Sequence, residues 1–214
     1  DAYEMQALAA TKLGIEPYLV GVASTGVIGE IMNMEPVVKG VEMLNPNNDL
    51  ESGMNFAQAI LTTDTVMKNT TYATVIDGKE VLVSGTAKGS GMIEPNMATM
   101  LGFITTDANI ESDELQKALS EITNLTFNAI TVDGDTSTND TVVVLANGLA
   151  GNEPLTPAHP EWNNFYTALR LVAEDLAKAI ARDGEGATKL IEVEVDGAIS
   201  DEEARKIAKT VVGS

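Results

Sequence analysis

Residues 88–106 read KGSGMIEPNMATMLGFITT, and we expect the fold to be organised around them. Glycines and a proline break the first part of this stretch, which is typical of a turn. Residues 100–106 then form an apolar run without polar alternation, and this pattern predicts a buried strand. The strand is expected to begin at Thr99, so that a hydroxyl group lies where the turn ends.

The bulk composition predicts a globular chain with a sizeable core. Its 214 residues suffice for one large domain or two small ones, and 44% of them are apolar. Aromatic residues make up only 4%, so the core must depend on aliphatic side chains and methionine. Nothing in the sequence separates two independently folding domains. It has no apolar run of about 18 residues and no signal-peptide pattern, so neither a membrane helix nor a leader is expected.

The residue types that are absent limit the catalytic and metal-binding groups that the chain can use. The chain contains no cysteine, which excludes disulfides, thiolate catalysis and cysteine-ligated zinc. Its single histidine, His159, lies between prolines, which argues against a histidine-based triad or a multi-histidine metal site. The formal net charge of −19 disfavours binding to a phosphate backbone. Catalysis would therefore have to use hydroxyl, amino or carboxylate groups.

Hydrophobic periodicity and turn signals predict an α/β chain. Helices are predicted over residues 1–13, 37–44, 53–61, 112–130, 142–149, 165–181 and 201–212. Buried or half-buried strands are predicted over residues 18–23, 100–106 and 189–195. A hairpin joins residues 72–76 to 80–86, because Asp77-Gly78 favours a tight turn. Long helices mixed with hairpins predict a layered fold, with helices packed on antiparallel or mixed sheets.

Four loops share a composition of small hydroxyl residues, often with glycine and a charged residue. They are residues 24–26, 62–65, 88–99 and 136–140. Loops at the ends of helices and strands often carry binding groups. The same residue types also cap helices and form turns, so each loop taken singly is more simply explained as a turn.

Thr99 is the sharpest candidate for a catalytic group. A threonine hydroxyl needs a base, and no cysteine and no well-placed histidine can serve. An N-terminal threonine can use its own α-amino group, whose pKa of about 7.7–8.0 suits a base near neutral pH. That amino group exists only after the bond between Ala98 and Thr99 is cut, which the Thr99 hydroxyl could itself do by an N-to-O acyl shift. The alternative is that Thr99 is simply a β-branched residue that opens a strand.

Five motifs in order along the chain give a more specific signal. They are VASTGVIGE, ILTTDT, GMIEPNMATMLGF, DGDTSTNDT and DGEGATKLIEV. With them the chain resembles, essentially from end to end, the glutamate N-acetyltransferase (ornithine acetyltransferase) family of arginine biosynthesis. The resemblance implies a self-cleaving acyltransferase with an N-terminal threonine. It also implies a helix/sheet/sheet/helix sandwich that is similar to the N-terminal-nucleophile hydrolases but distinct from them in topology.

The resemblance implies a role for particular residues. It places the cleavage between Ala98 and Thr99, which would divide the chain into residues 1–98 and 99–214, with Thr99 as the nucleophile. Two further residues match the pair that stabilises the oxyanion, namely Thr25 and Gly26. The substrate-binding positions match Thr62, Lys88, Thr99 and Glu185, with Thr63 as an alternative to Thr62 because loop lengths vary.

The implied reaction moves an acetyl group from N-acetylornithine to L-glutamate through an acetyl-threonine intermediate. Lys88 suits the carboxylates of these substrates, and Glu185 suits an amino group. The resemblance implies no cofactor and no metal, although some family members use acetyl-coenzyme A as a co-substrate. It further implies a cytoplasmic enzyme in which cleaved pairs assemble as α2β2, without nucleic-acid or membrane partners.

The chain also departs from the family pattern in its extent. Family members are longer, and this sequence is expected to begin inside the segment before the nucleophile and to stop before the C-terminal region. That region normally supplies an asparagine and a hydroxyl residue of the substrate pocket. Two alternatives to acetyl transfer therefore stay open: a self-cleaving N-terminal-threonine amidohydrolase or aminopeptidase, and an inactive fragment that serves as a structural or interaction module.

Overall fold

In the computed structural model, which describes residues 1–47, 49–94 and 100–214, the chain divides into two units. They are Asp1–Phe56 and Ala57–Ser214. The first unit contains α1 (Ala2–Leu13), a 3-10 turn (Pro17–Leu19), α2 (Met34–Met43) and most of α3 (Leu50–Ala59). The Asn33 side chain caps α2 by accepting the N–H of Glu35 at 3.1 Å. The three helices predicted here are confirmed, two of them beginning three residues earlier than expected.

The strand predicted over residues 18–23 is wrong. Pro17 opens a 3-10 turn that includes Tyr18 and Leu19, both of which are exposed. Residues 20–27 have no regular structure, and Gln6 donates a side-chain hydrogen bond to the carbonyl of Val20 at 2.9 Å. No strand lies within the described part of this unit for residues 20–23 to pair with.

The second unit is built on a four-stranded mixed sheet. Its strands are β1 (Lys68–Ile76), β2 (Lys79–Lys88), β3 (Leu101–Thr106) and β4 (Thr141–Ala146), in that spatial order. The hairpin β1–β2 turns at Asp77-Gly78, where both residues have positive φ, 53° and 71°, as a two-residue turn requires. The predicted hairpin and the predicted strand at residues 100–106 are thus confirmed.

The helix predicted over residues 142–149 is wrong, because this segment is β4. β3 and β4 run parallel and are joined by α4 (Ser112–Leu125) and a 3-10 turn (Phe127–Ala129). The sequence TVVVLA is rich in β-branched residues, which pack well on a pleated surface. Pairing with β3, a contact that is distant along the chain, decides between strand and helix.

Two further helices complete the second unit. α5 (Trp162–Arg182) packs on β1 and β2 and buries Leu169, Val172 and Leu176 against them. α6 (Asp201–Val212) is capped by Ser200, whose hydroxyl accepts the N–H of Glu203 at 3.2 Å, and the helix predicted there is confirmed. No helix in the described part of the chain is both long enough and apolar enough to cross a bilayer.

The strand predicted over residues 189–195 is also wrong. Residues 187–196 have no regular structure, and the Ile191 side chain is largely exposed. Their alternating pattern has no strand beside it among the described residues. The fold class is therefore α/β, with six helices and one mixed sheet in the described part of the chain.

Candidate functional site

One edge of the sheet gathers the end of one strand and the beginnings of two others. Lys88, the last residue of β2, pairs with Leu101, the first residue of β3. Leu101 in turn pairs with Thr141, the first residue of β4. Neighbouring strands are about 4.8 Å apart, so Lys88 lies within two strand spacings of β4. Met100, which follows Thr99 in the chain, lies at this same edge.

Lys88 is a buried cation at this edge, with 1% of its surface exposed. Burial lowers the pKa of Lys88, and attraction from Asp64 and Asp140 partly opposes this effect. A buried ammonium group interacts strongly with a carboxylate that reaches it, since little solvent screens the two charges. The sequence prediction that Lys88 binds substrate carboxylates is compatible with this environment.

Asp64 joins two of the loops that the sequence singled out. Its carboxylate accepts the backbone N–H of Gly89 at 2.7 Å and that of Thr62 at 3.2 Å. The Lys68 Nζ donates to the same carboxylate at 2.6 Å. Burial alone would raise the pKa of Asp64, but these three hydrogen bonds outweigh it and the pKa is lowered. The Asp64 carboxylate therefore stays ionised and ties residues 62–65 to the end of β2.

Lys68 extends this connection to the segment that carries Glu185. Its ammonium group lies 2.7 Å from a carboxylate oxygen of Asp183, and its side chain has no exposed surface. Thr65 donates both its backbone N–H, at 3.0 Å, and its hydroxyl to Asp183. Asp64, Lys68 and Asp183 form a buried charge network that holds three loops together, and sequence reasoning did not identify it. The only feature of the sequence that could have indicated this network is the carboxylate of Asp64 in the 62–65 loop.

The side chain of Glu185 lies against the backbone of the 88–94 turn. The backbone N–H of Glu185 donates a hydrogen bond to the carbonyl of Ser90 at 2.7 Å. A Cβ at Gly91 would lie 2.7 Å from the Glu185 carboxyl carbon and 2.8 and 2.9 Å from its oxygens. Glu185 as a whole residue is exposed to solvent. Glycine at position 91 thus leaves the space that the Glu185 carboxylate occupies.

The two threonines that the sequence offered as alternatives differ in their contacts. The Thr63 hydroxyl shares a hydrogen bond of 2.6 Å with the Ser90 hydroxyl. Thr62 contributes its backbone N–H to Asp64 and has an exposed side chain. The structure therefore brings the 62–65 loop, Lys88 and Glu185 together around residues 88–91.

Thr25 and Gly26 belong to the first unit. They lie in the irregular segment after the 3-10 turn, where Thr25 is half-buried and Gly26 is exposed. A Cβ at position 26 would meet no atom within 4 Å, so space alone does not require glycine there. The predicted oxyanion role of this pair stays a prediction.

The predicted cleavage site, Ala98 and Thr99, lies outside the described residues, which resume at Met100. Two aspartates of the DGDTSTND segment accept backbone N–H groups on either side of residues 95–99. Asp133 accepts the N–H groups of Met92 and Ile93 at 2.5 and 2.9 Å. On the other flank, Asp140 accepts the N–H of Met100 at 2.6 Å. Sequence reasoning had named this segment as a loop but had assigned no role to either aspartate.

A separate cluster at the hairpin turn consists of Asp77, His159 and Glu161, whose potential ligand atoms lie within 4.8 Å of one another. Each is already engaged in a hydrogen bond. The His159 Nδ1 accepts the N–H of Glu161 at 3.1 Å, and its Nε2 lies 3.3 Å from the Asp77 carboxylate. Glu161 accepts the N–H of Asp77 at 2.5 Å. Because both imidazole nitrogens already have partners, we interpret the cluster as a set of contacts that stabilises the turn and not as a metal site.

Comparison with known proteins gives consistent matches over the whole chain. The model of the ArgJ family matches residues 1–214. The "Arginine biosynthesis bifunctional protein ArgJ" of Halalkalibacterium halodurans is 63% identical over all 214 residues, which span 52% of that protein. The protein of the same name from Geobacillus stearothermophilus is 64% identical over the same residues, again 52% of its length. The chain thus spans about half the length of these curated relatives.

A solved structure matches as well. The crystal structure of arginine biosynthesis bifunctional protein ArgJ from Bacillus halodurans, at 2.00 Å resolution, aligns with a TM-score of 0.52 and 72% sequence identity. The alignment covers 52% of this chain and 53% of that one.

Proposed function

Because the chain belongs to the ArgJ family, we propose that the protein acts in arginine biosynthesis as an acetyltransferase that moves acetyl from N-acetylornithine to L-glutamate. The observation that carries the proposal is the convergence of Lys88, Glu185 and the 62–65 loop beside Met100. Met100 is bonded to Thr99, the expected nucleophile. A buried cation, a carboxylate and hydroxyl groups together match an α-amino acid substrate.

Activation begins with the Thr99 hydroxyl. Its oxygen attacks the carbonyl carbon of Ala98, a carbon–oxygen bond forms, and the bond to the Thr99 nitrogen breaks as that nitrogen takes up a proton. Water then hydrolyses the ester, which leaves a carboxylate on Ala98 and a free amino group on Thr99. That amino group is the base that the intact chain lacks.

Acetyl transfer follows by two similar displacements. The Thr99 amino group takes the hydroxyl proton, the hydroxyl oxygen attacks the acetyl carbonyl, and ornithine leaves with the proton. Glutamate then attacks the acetyl-threonine ester and restores the hydroxyl. Thr25 and Gly26 are proposed to stabilise the oxyanion of both steps, and one such donor is worth about 2.7–4 kcal/mol.

Substrate recognition is assigned to the groups around residues 88–91. Lys88 binds the α-carboxylate, Glu185 binds an amino group, and Thr62 or Thr63 adds a hydroxyl contact. The proposal includes the helix/sheet/sheet/helix sandwich, the α2β2 assembly, a cytoplasmic location and acetyl-coenzyme A as an alternative acetyl donor. The described residues form one mixed sheet, and a second sheet is part of the proposal.

The test is the intact mass of protein produced from its complete reading frame. We expect two pieces that meet between Ala98 and Thr99, whereas Thr99→Ala should stay in one piece. Thr105→Ala is the matched control, because Thr105 is an exposed threonine near the end of β3 that is farther from Met100. N-acetylornithine without glutamate should add one acetyl group to the piece that begins with Thr99.

Three results would contradict acetyl transfer. An uncut wild-type protein with full activity would exclude the N-terminal threonine. Release of acetate at the same rate with and without glutamate would identify a hydrolase instead. A folded protein that never acquires the acetyl group would identify an inactive module.

A further inference from the structure

Gly91 matters through the space that it leaves beside Glu185. A Cβ on Gly91 would lie 2.7 Å from the carboxyl carbon of Glu185 and 2.8 and 2.9 Å from the two oxygens, all shorter than van der Waals contact. Gly91 is not among the glycines with positive φ, so an alanine could adopt its backbone conformation. The methyl group added by Gly91→Ala would therefore act first on the Glu185 carboxylate.

The backbone on each side of this contact is held in place. The backbone N–H of Glu185 donates to the carbonyl of Ser90 at 2.7 Å, which joins the two segments directly beside Gly91. Gly184 packs so closely that a Cβ there would lie 2.8 Å from Cγ1 of Val132. Because the backbone is fixed, the side chain of Glu185 must accommodate a methyl group at position 91. Glu185 is exposed, so its carboxylate can turn away toward solvent.

The two proposed substrates differ in the group that this carboxylate would meet. In N-acetylornithine the α-nitrogen is an uncharged amide, so its one amino group is at the end of the side chain. The side chain of glutamate ends instead in a carboxylate, which the like charge of Glu185 repels. Glu185 can therefore hold the acetyl donor by a charge-assisted hydrogen bond that the acceptor cannot form.

The assigned cation and this carboxylate lie on the same short turn. Lys88 and Gly91 are three residues apart, so their Cα atoms are at most about 11 Å from each other. The α-carboxylate and the terminal amino group of ornithine are separated by four carbon atoms. A diamino acid of this size suits a cation and a carboxylate that are held so close together.

We propose that Gly91 is a specificity-determining residue of the site, because the space that it leaves fixes the Glu185 carboxylate where it binds the side-chain ammonium group of the acetyl donor. This role rests on the proposed function and deepens it, since it assigns Glu185 to the donor half of the reaction. The preferred donors are then N-acetylated amino acids whose side chain ends in an amino group.

The test compares two acetyl donors in wild type, in Gly91→Ala and in the control Gly40→Ala. N-acetyl-L-norvaline has the carbon chain of N-acetylornithine without the terminal amino group, so the ratio of the two kcat/KM values measures the contribution of that group. Gly40 lies in α2, where a Cβ would meet no atom within 4 Å. The protein would be produced from its complete reading frame, and acetylated glutamate would be measured by mass spectrometry.

We expect wild type and Gly40→Ala to prefer N-acetylornithine about 10- to 100-fold, as is usual for a hydrogen bond to a charged group. Gly91→Ala should lower kcat/KM for N-acetylornithine about 10-fold and leave the value for N-acetylnorvaline unchanged. Its kcat/KM for glutamate should not fall, because the acceptor does not use this contact. Thermal melting would verify that the variants are folded.

Glu185→Gln tests whether Gly91 acts through Glu185. A glutamine has the same length but no charge, so Glu185→Gln should by itself lose the preference for N-acetylornithine. Adding Gly91→Ala to Glu185→Gln should then change kcat/KM for either donor by no more than about 2-fold, whereas independent effects would multiply.

The outcomes separate this inference from the proposed function. If Gly91→Ala keeps the wild-type preference, lowers kcat/KM for both donors alike or fails to fold, the role of Gly91 is overturned while acetyl transfer stands. The same follows if wild type uses both donors equally well. If wild type transfers acetyl from neither donor, the proposed function and the role of Gly91 are both overturned.

Discussion

At the scale of single residues, Lys68 illustrates how much a buried charge depends on its partners. Its side chain and that of Asp64 have no exposed surface, and Asp183 is 7% exposed. A buried ion pair adds little compared with a well-packed apolar pair, but the loss of one partner leaves the others charged without compensation. The ammonium group of Lys68 is shared by two carboxylates.

Lys68→Met should therefore lower the free energy of unfolding by about 3–5 kcal/mol, because Asp64 and Asp183 would remain buried without the cation that they share. Urea unfolding followed by circular dichroism measures the change. Lys117→Met is the control in the same unit, since the Lys117 side chain is 66% exposed in its pair with Glu114. Exposed pairs contribute little. Equal effects of the two substitutions would show that the network around Lys68 is not a buried one in solution.

At the scale of elements, β2 and α5 approach each other closely at Gly85. A Cβ on this residue would lie 2.8 Å from both Leu176 Cδ1 and Val172 Cγ1. Both of these side chains are fully packed in the core, so neither can move away freely.

Gly85→Ala should destabilise the second unit by about 1–3 kcal/mol, the usual cost of overpacking. The midpoint of thermal or urea unfolding measures it. Ser84→Ala is the neighbouring control, because the Ser84 hydroxyl faces away from α5 and shares one exposed hydrogen bond with Thr71. If Gly85→Ala proves as stable as wild type, α5 must be able to shift away from β2.

The elements also show which parts of the fold a sequence can predict. The hairpin at Asp77-Gly78, α5 and the capped α6 were predictable because their signals are local: a turn dipeptide, an apolar stripe and a capping box. β4 and the segment at residues 189–195 were not, because pairing with a distant strand decides whether an apolar run becomes part of a sheet.

The same distinction between local signals and distant contacts applies to the residues of the candidate site. Lys88 and Glu185 were singled out because the sequence resembles a known family, and their binding roles stay predictions. Asp64 and Asp140 were missed as site residues, because their roles arise from contacts with Gly89 and Met100, which lie 25 and 40 residues away along the chain. No local pattern records contacts of that range.

At the scale of the whole chain, the two units differ in how much they bury. The main core cluster lies entirely within residues 57–214. Among the described residues of Asp1–Phe56, only Ala10 is a buried hydrophobic residue. Protection of backbone amides from exchange with solvent depends on such burial, because sparsely packed regions open at little cost.

Hydrogen exchange of the 214-residue chain should therefore be much faster in α1 and α2 than in α5. α5 buries eight residues and is held on the sheet, whereas α2 buries none. Mass spectrometry of peptic peptides would measure the difference, and α4, which buries four residues, is the internal reference. We expect α4 to resemble α5. If α1 exchanges as slowly as α5, then residues 1–56 are stabilised by contacts other than burial of their own apolar side chains.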